Sequence, residues 1–303
     1  MRLFPSCIPC LLQMVITACR AGNASDDKIF LALKKALSYL SEIDYSQPAP
    51  DYSQPILEYV SQVLGEPDPF KEIKRRSNQI GIKLASELAL PFLEKATSEK
   101  DRLIRALKIS LAGNIVDYAI LPDINADIET KLAQALDVKF ARLELEDFLV
   151  QLDRSPKILF LCDNAGEIAF DKILIQELNK KAKEIIVAVK SGPALNDALL
   201  EDAIEVGLDK IDKVKIITTG QARMGLDLEK MGVELKQIWE EADIIIAKGQ
   251  ANFECLFDKG LGIYFLTLIK CVPLSRYLGV EKGSAIFSRG ERLNEQKAQT
   301  NTR

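Results

Sequence analysis

Hydrophobic positions change their spacing near the middle of the chain. Up to about residue 150 they recur every three or four places, as at Ile29, Leu33, Ala36, Leu37 and Leu40, and again at Leu103, Ala106, Leu107 and Leu111. That is the spacing of amphipathic helices. Breaks at Gln47-Pro48-Ala49-Pro50 and Glu66-Pro67-Asp68-Pro69 separate the predicted helices. From Lys157 the texture is different. Short runs rich in Ile and Val follow one another: KILFLC (157–162), EIIVAVK (184–190), VKIITTG (214–220), DIIIAKG (243–249) and GIYFLTLIK (262–270). They are apolar throughout rather than alternating, as strands of a parallel sheet covered on both faces should be. Amphipathic stretches such as 170–180 and 228–240 lie between most of them. Strands alternating with helices predict a doubly wound α/β sheet over 151–303, after a helical region over 1–150. The closing ERLNEQKAQTNTR is polar and expected to fray.

Composition narrows the chemistry. The 303 residues include no histidine. That removes the commonest general base, every Ser-His-Asp or Cys-His arrangement and all HExxH metallohydrolases. A metal would sit among oxygen ligands, which favours Mg²⁺, Mn²⁺ or a similar ion over structural zinc. A net charge of −4 leaves no basic excess for nucleic acid or an anionic membrane. No segment reaches the roughly 18 apolar residues of a membrane span. The apolar stretch near the start is interrupted by Pro5, Pro9 and Gln13, with no clean cleavage site after it, so a cytoplasmic protein is expected. Cys7 and Cys10 form a CxxC with no second pair; both are expected to pack against the helical region rather than hold zinc.

In a doubly wound sheet, ligands bind beyond the carboxyl ends of the strands. Every predicted strand tip here carries polar groups or glycine. The first ends in Asp163-Asn164-Ala165-Gly166-Glu167, and the second leads into Asn196-Asp197. The fourth ends in Lys248-Gly249-Gln250-Ala251-Asn252, and the fifth in Lys270-Cys271. Asp163 and Asn164 read either as caps of the following helix or as oxygen ligands of a hard cation, and Asn196-Asp197 bears the same two readings. Lys248 and Lys270 are either solvated charges or counter-charge for a phosphate. Neither a GxxxxGK[ST] loop nor a GxGxxG follows the first strand.

Taken in order, DNAGE, GPALNDALLEDA, KGQANFE and IKC resemble the damage-control phosphatases, long catalogued as domain of unknown function 89. CIPC near the start and Ala112-Gly113-Asn114-Ile115-Val116-Asp117 match the prokaryotic-type members, so the resemblance spans nearly the whole chain. It implies a Rossmann-like three-layer αβα sandwich with a mainly parallel sheet, preceded by a helical N-terminal region. It also implies a metal-dependent phosphatase acting on small phosphorylated metabolites, with a divalent ion (Mn²⁺, Co²⁺, Ni²⁺ or Mg²⁺) as cofactor. By motif, Asp163, Asn164 and Asp197 would be metal ligands. Asp163 and Glu167 are the catalytic candidates: attack would come from Asp163 or from a metal-bound water, and Glu167 would accept a proton or hold a substrate hydroxyl. Asn114, Asp117, Lys248, Gly249, Asn252 and Lys270 would contact substrate. Two positions depart from the better-studied eukaryotic-type members: Gln250 replaces an acid, and no arginine precedes Lys270 where they read Arg-Thr-x-Lys.

Two other functions are compatible with a sheet of this kind. One is a Rossmann-like methyltransferase, which would want a glycine-rich first turn where this chain has a single Gly166. The other is a non-catalytic phosphometabolite-binding protein, which has no need for acids at three strand tips.

Overall fold

The computed structural model describes residues 1–115, 128–154, 156–260, 262–291 and 293; Asp117 and the polar run from residue 294 lie outside them. The chain opens with α1 (Cys7–Ala21), α2 (Asp26–Glu42) and α3 (Ala49–Leu64). Their inward faces form an apolar cluster of their own, including Val15, Ala36, Ile56 and Val60. Next come α4 (Lys71–Leu84), a π turn at Ala85–Ala89, α5 (Leu90–Glu94), α6 (Glu99–Ala112) and α7 (Ile128–Leu136). The Ser98 hydroxyl caps α6 by accepting from the Asp101 amide at 3.1 Å. These later helices share the core of the sheet: Leu107 and Ile109 belong to one cluster with Phe160 and Ile173.

The remaining elements alternate. They are β1 (Phe140–Leu143), α8 (Leu145–Leu152), β2 (Lys157–Leu161), α9 (Glu167–Asn179), β3 (Glu184–Val189), α10 (Leu200–Glu205), β4 (Val214–Thr218), α11 (Val233–Glu241), β5 (Ile244–Lys248), α12 (Gln250–Leu256), β6 (Tyr264–Leu268), α13 (Val272–Leu278) and β7 (Ala285–Arg289). They build one seven-stranded sheet in the order β1-β7-β6-β5-β2-β3-β4. Every neighbouring pair is parallel except β6 and β7. The sheet therefore reaches back to Phe140, before the boundary expected at residue 150.

Strand alternation explains the unbroken apolar runs. Ile158 and Phe160 point into the cluster that holds α6 and α9, while Leu159 and Leu161 point into the one that holds Leu235 of α11 and Phe253 of α12. Ile244 and Ile246 divide from Ile245 and Ala247 in the same way. Helices on both faces favour apolar side chains within the central strands β2, β3 and β5, so polar groups collect mainly at the tips. The result is a three-layer αβα sandwich with a mainly parallel sheet, as expected. No helix among the described residues is long and apolar enough to cross a membrane.

Candidate active site

The chain runs β2–β3–β4 outward on one side, then crosses to β5 on the other side of β2. In open α/β sheets the ligand crevice opens at such a switch point, beyond the strand carboxyl ends. Asp163 and Asn164 follow β2, and Gly249 follows β5. Gly249 has φ 81° and ψ 164°, a conformation essentially confined to glycine. A Cβ there would overlap the Asp163 carboxyl. The two tips therefore close on each other only because residue 249 has no side chain.

The β3 side is tied in through backbone pairing. Asn164 and Asp197 form an isolated antiparallel bridge; the Ala165 amide donates to Asn196 O at 2.8 Å and the Ala198 amide to Asp163 O at 2.9 Å. Neither pair caps a helix. The residue before α9 is Gly166, and the Leu199 amide before α10 donates to Asp202 at 2.7 Å. The capping alternative thus falls away for Asp163-Asn164 and Asn196-Asp197.

Asp163, Asn164, Asp197 and Lys270 all border one cavity of about 650 Å³. Burial pushes the Asp163 carboxyl well above its ordinary range, Glu167 and Asp197 add to the effect, and Lys270 and Lys190 oppose it. Burial likewise raises Asp197 to about 6 against the pull of Lys190. The Lys190 ammonium stands 3.5 Å from Asp197 Oδ2 and donates to Gly225 O at 2.7 Å. Asp197 Oδ2 is buried and accepts no hydrogen bond. Burial thus disfavours two bare carboxylates at this corner despite the two lysines. Two carboxylates and the Asn164 amide oxygen form a hard donor set that a divalent ion fits. Among the described residues, no group of three or more His, Cys, Asp or Glu is gathered around one point, so an ion here depends on the amide.

Other expected residues stand elsewhere. Lys248, expected to touch substrate, is fully buried, with its ammonium 2.6 Å from Glu167 Oε1, 2.7 Å from Asp171 Oδ1 and 3.1 Å from Ser110 O. Burial alone would lower its pKa, but Asp171 and Glu167 overcome this and hold the ammonium above its ordinary value. All three of its donors face inward, so it is a strut behind the site rather than a phosphate contact. Glu167 lies behind Asn164 rather than on the cavity: its Oε2 accepts from Asn164 Nδ2 at 3.2 Å and from Asn114 Nδ2 at 2.8 Å. Asn114 accordingly braces Glu167. Asn252 ties the tips of β2 and β5 by donating to Cys162 O and Lys248 O at 3.2 and 2.8 Å. Asp117 lies outside the described residues. Cys7 and Cys10, expected to pack into the helical region, both border the cavity, where Cys10 is exposed.

Comparison with known proteins now decides the family. The model of the damage-control phosphatase ARMT1-like domain matches residues 3–286. The chain belongs to this family. It is 31% identical over 291 residues to the damage-control phosphatase of Archaeoglobus fulgidus, covering 94% of this chain and 98% of that one. It is 34% identical over 232 residues to the damage-control phosphatase PH1575 of Pyrococcus horikoshii, covering 75% and 77% of the two chains. The crystal structure of PH1575, a DUF89 family protein, superposes with a TM-score of 0.84 over 96% of this chain and 99% of that one, at 28% identity.

Within this damage-control phosphatase fold, sequence reasoning passed over Lys190, Asp171 and Asn78. Lys190 follows an apolar strand, the same signal that drew attention to Lys248. Asn78 carries no local motif; its Oδ1 accepts from the Gly166 amide at 2.8 Å across 88 residues of chain. Gly249→Ala tests the closeness of the tips. It is expected to cost about 1–3 kcal/mol in denaturant unfolding through its backbone conformation. It should also lower phosphate release about 100-fold, because the Asp163 carboxyl must move. A variant that keeps wild-type turnover would show that Asp163 tolerates displacement.

Proposed function

We propose that this damage-control phosphatase is a metal-dependent phosphomonoester hydrolase acting on small phosphorylated metabolites. Asp163, Asn164 and Asp197 would hold a divalent ion (Mn²⁺, Co²⁺, Ni²⁺ or Mg²⁺). The observation that carries the reading is two buried carboxylates bordering one cavity, with Asp197 Oδ2 ion-paired to Lys190 but accepting no hydrogen bond, beside Lys270. A bound divalent ion supplies positive charge that polarises a phosphoryl oxygen. The protein's own groups do the rest. Lys270 is exposed at the cavity edge and places an ammonium where phosphate oxygens would gather. Asp163 borders both cavity and ion set, and is the group placed to attack phosphorus or to anchor the ion while water attacks. Glu167 keeps the Asn164 amide turned, and Lys248 and Asn114 keep Glu167 in place.

The net charge of −4 offers no basic excess for a nucleic-acid partner. Six unpaired cysteines suit a reducing compartment, which supports a cytoplasmic location. Phosphate release from para-nitrophenyl phosphate, with and without Mn²⁺, Co²⁺, Ni²⁺ or Mg²⁺, tests the reading. A methyltransferase or a binding protein would release none.

A second expectation comes from the raised carboxyls. A carboxyl whose folded pKa exceeds its unfolded value stabilises the fold fully below the unfolded value and loses that contribution as pH rises through the folded one. For Asp197 the window runs from about 3.8 to about 6. A divalent ion should restore the loss above that window. Mn²⁺ at 100 times its Kd should add about 2.7 kcal/mol at pH 7.5. Its affinity should fall about tenfold at pH 5, where a proton competes for Asp197. Thermal unfolding at both pH values reads this directly; an equal gain at each would remove Asp197 from the ligand set.

A further inference from the structure

The cavity is far larger than a phosphate. At about 650 Å³ it lies within the 300–1,000 Å³ range of pockets that enclose a whole small organic ligand. Its charged groups, Asp163, Asp197, Glu254, Lys270 and Lys282, come from the sheet half, while the helical region contributes the Ser6 and Ser53 hydroxyls and the Cys7 and Cys10 thiols. The facing wall is largely apolar: Leu11 and Met14 of α1 and Ala49 and Pro50 of α3 come from the helical region, and Met224 from the loop after β4. Ser53 on that wall spends its hydroxyl proton on Pro50 O at 2.6 Å. Leu195, also on the cavity, is held at φ 53°, a left-handed conformation that disfavours leucine by about 1 kcal/mol. Among the described residues no arginine borders the space. Two of the chain's four methionines do, and their unbranched thioethers adapt to varied apolar shapes.

A polyol seated against this wall would lose water from its hydroxyls without recovering hydrogen bonds. An apolar group would gain by burial. We infer that the organic part of the substrate is apolar: the site takes phosphomonoesters of compact aliphatic or aromatic alcohols in preference to those of sugars and other polyols. The inference rests on the phosphatase reading above for its kinetic form, and on the cavity wall alone for its binding form.

The test uses the purified chain with Mn²⁺ and a series of straight-chain alkyl phosphates from ethyl to hexyl. Their leaving alcohols are nearly equal in basicity, so differences report binding by the cavity. kcat/KM should rise about threefold per methylene until the cavity is filled. Hexyl phosphate should exceed glucose 6-phosphate by about 100-fold. Met14→Gln and Met224→Gln keep side-chain length but add an amide, and each should reduce the hexyl-to-ethyl ratio at least threefold. A flat alkyl series, or faster turnover of the sugar ester, would overturn the inference. If no ester is hydrolysed, the phosphatase reading fails, and calorimetry with hexylphosphonate and ethylphosphonate decides the remaining question. Hexylphosphonate binding at least tenfold tighter upholds the apolar site; equal affinities refute it.

Discussion

Asp163→Asn is expected to lower phosphate release by at least about 100-fold while leaving the fold intact. The change removes one negative charge and keeps the shape of the side chain. Its carboxyl borders the cavity and packs against Gly249, so the amide fits without a clash. Loss of a single electrostatic group aimed at the reacting centre typically costs about 10²–10³-fold in turnover. Stability should move the other way. Burial holds the Asp163 carboxyl well above its ordinary range, which means the charged form is disfavoured in the metal-free fold. The metal-free variant should therefore be at least as stable as wild type at pH 7.5, and Mn²⁺ should stabilise it less. Turnover within threefold of wild type, or a destabilised metal-free variant, would refute this role.

Lys248→Met should produce the largest loss of stability, about 3–5 kcal/mol in denaturant unfolding. The ammonium is fully buried between Glu167 and Asp171. Its removal leaves buried carboxylates without a cation, the costly way to break a buried ion pair. Asp171 Oδ2 already lacks a hydrogen-bond partner, so the acid has little else to turn to. Adding Asp171→Asn to Lys248→Met should recover part of the loss, because one of the stranded charges goes with it. A lysine that served only the phosphate would behave differently, with turnover collapsing and stability changing by less than about 1 kcal/mol.

Much of this arrangement was legible from residue patterns, for a physical reason. Strands covered on both faces are largely apolar rather than alternating, and the five runs rich in Ile and Val are β2 to β6. The two missed strands give a weaker signal. β1 is four residues long, half-buried at one sheet edge, and begins the FARL segment that composition gives no cause to notice. β7 is buried but lies antiparallel to β6, outside the alternating strand–helix rhythm. The site divides similarly. Asp163, Asn164, Asp197 and Lys270 were placed by the tip rule, and they do border one cavity.

Lys248 shows what that rule lacks. Strand parity puts residue 248 on the same face as Ile244 and Ile246, under α6 and α9. Those helices carry Ser110, Glu167 and Asp171, the last two one helical turn apart. The inward aim of the lysine was thus written in its spacing, but its partners are 77 to 138 residues away in the chain. Asn78 gave no such signal, because its value depends entirely on where α4 docks.

The most direct test of the ligand set is a Mn²⁺ titration of phosphate release from para-nitrophenyl phosphate by wild type and Asp197→Ala, starting from chelator-treated protein. Wild type should be inactive without metal and saturate as Mn²⁺ is added. Asp197→Ala should need at least tenfold more Mn²⁺ and recover part of the activity by mass action. Release that survives the chelator, or two titrations that overlay, would contradict a metal held by Asp163, Asn164 and Asp197.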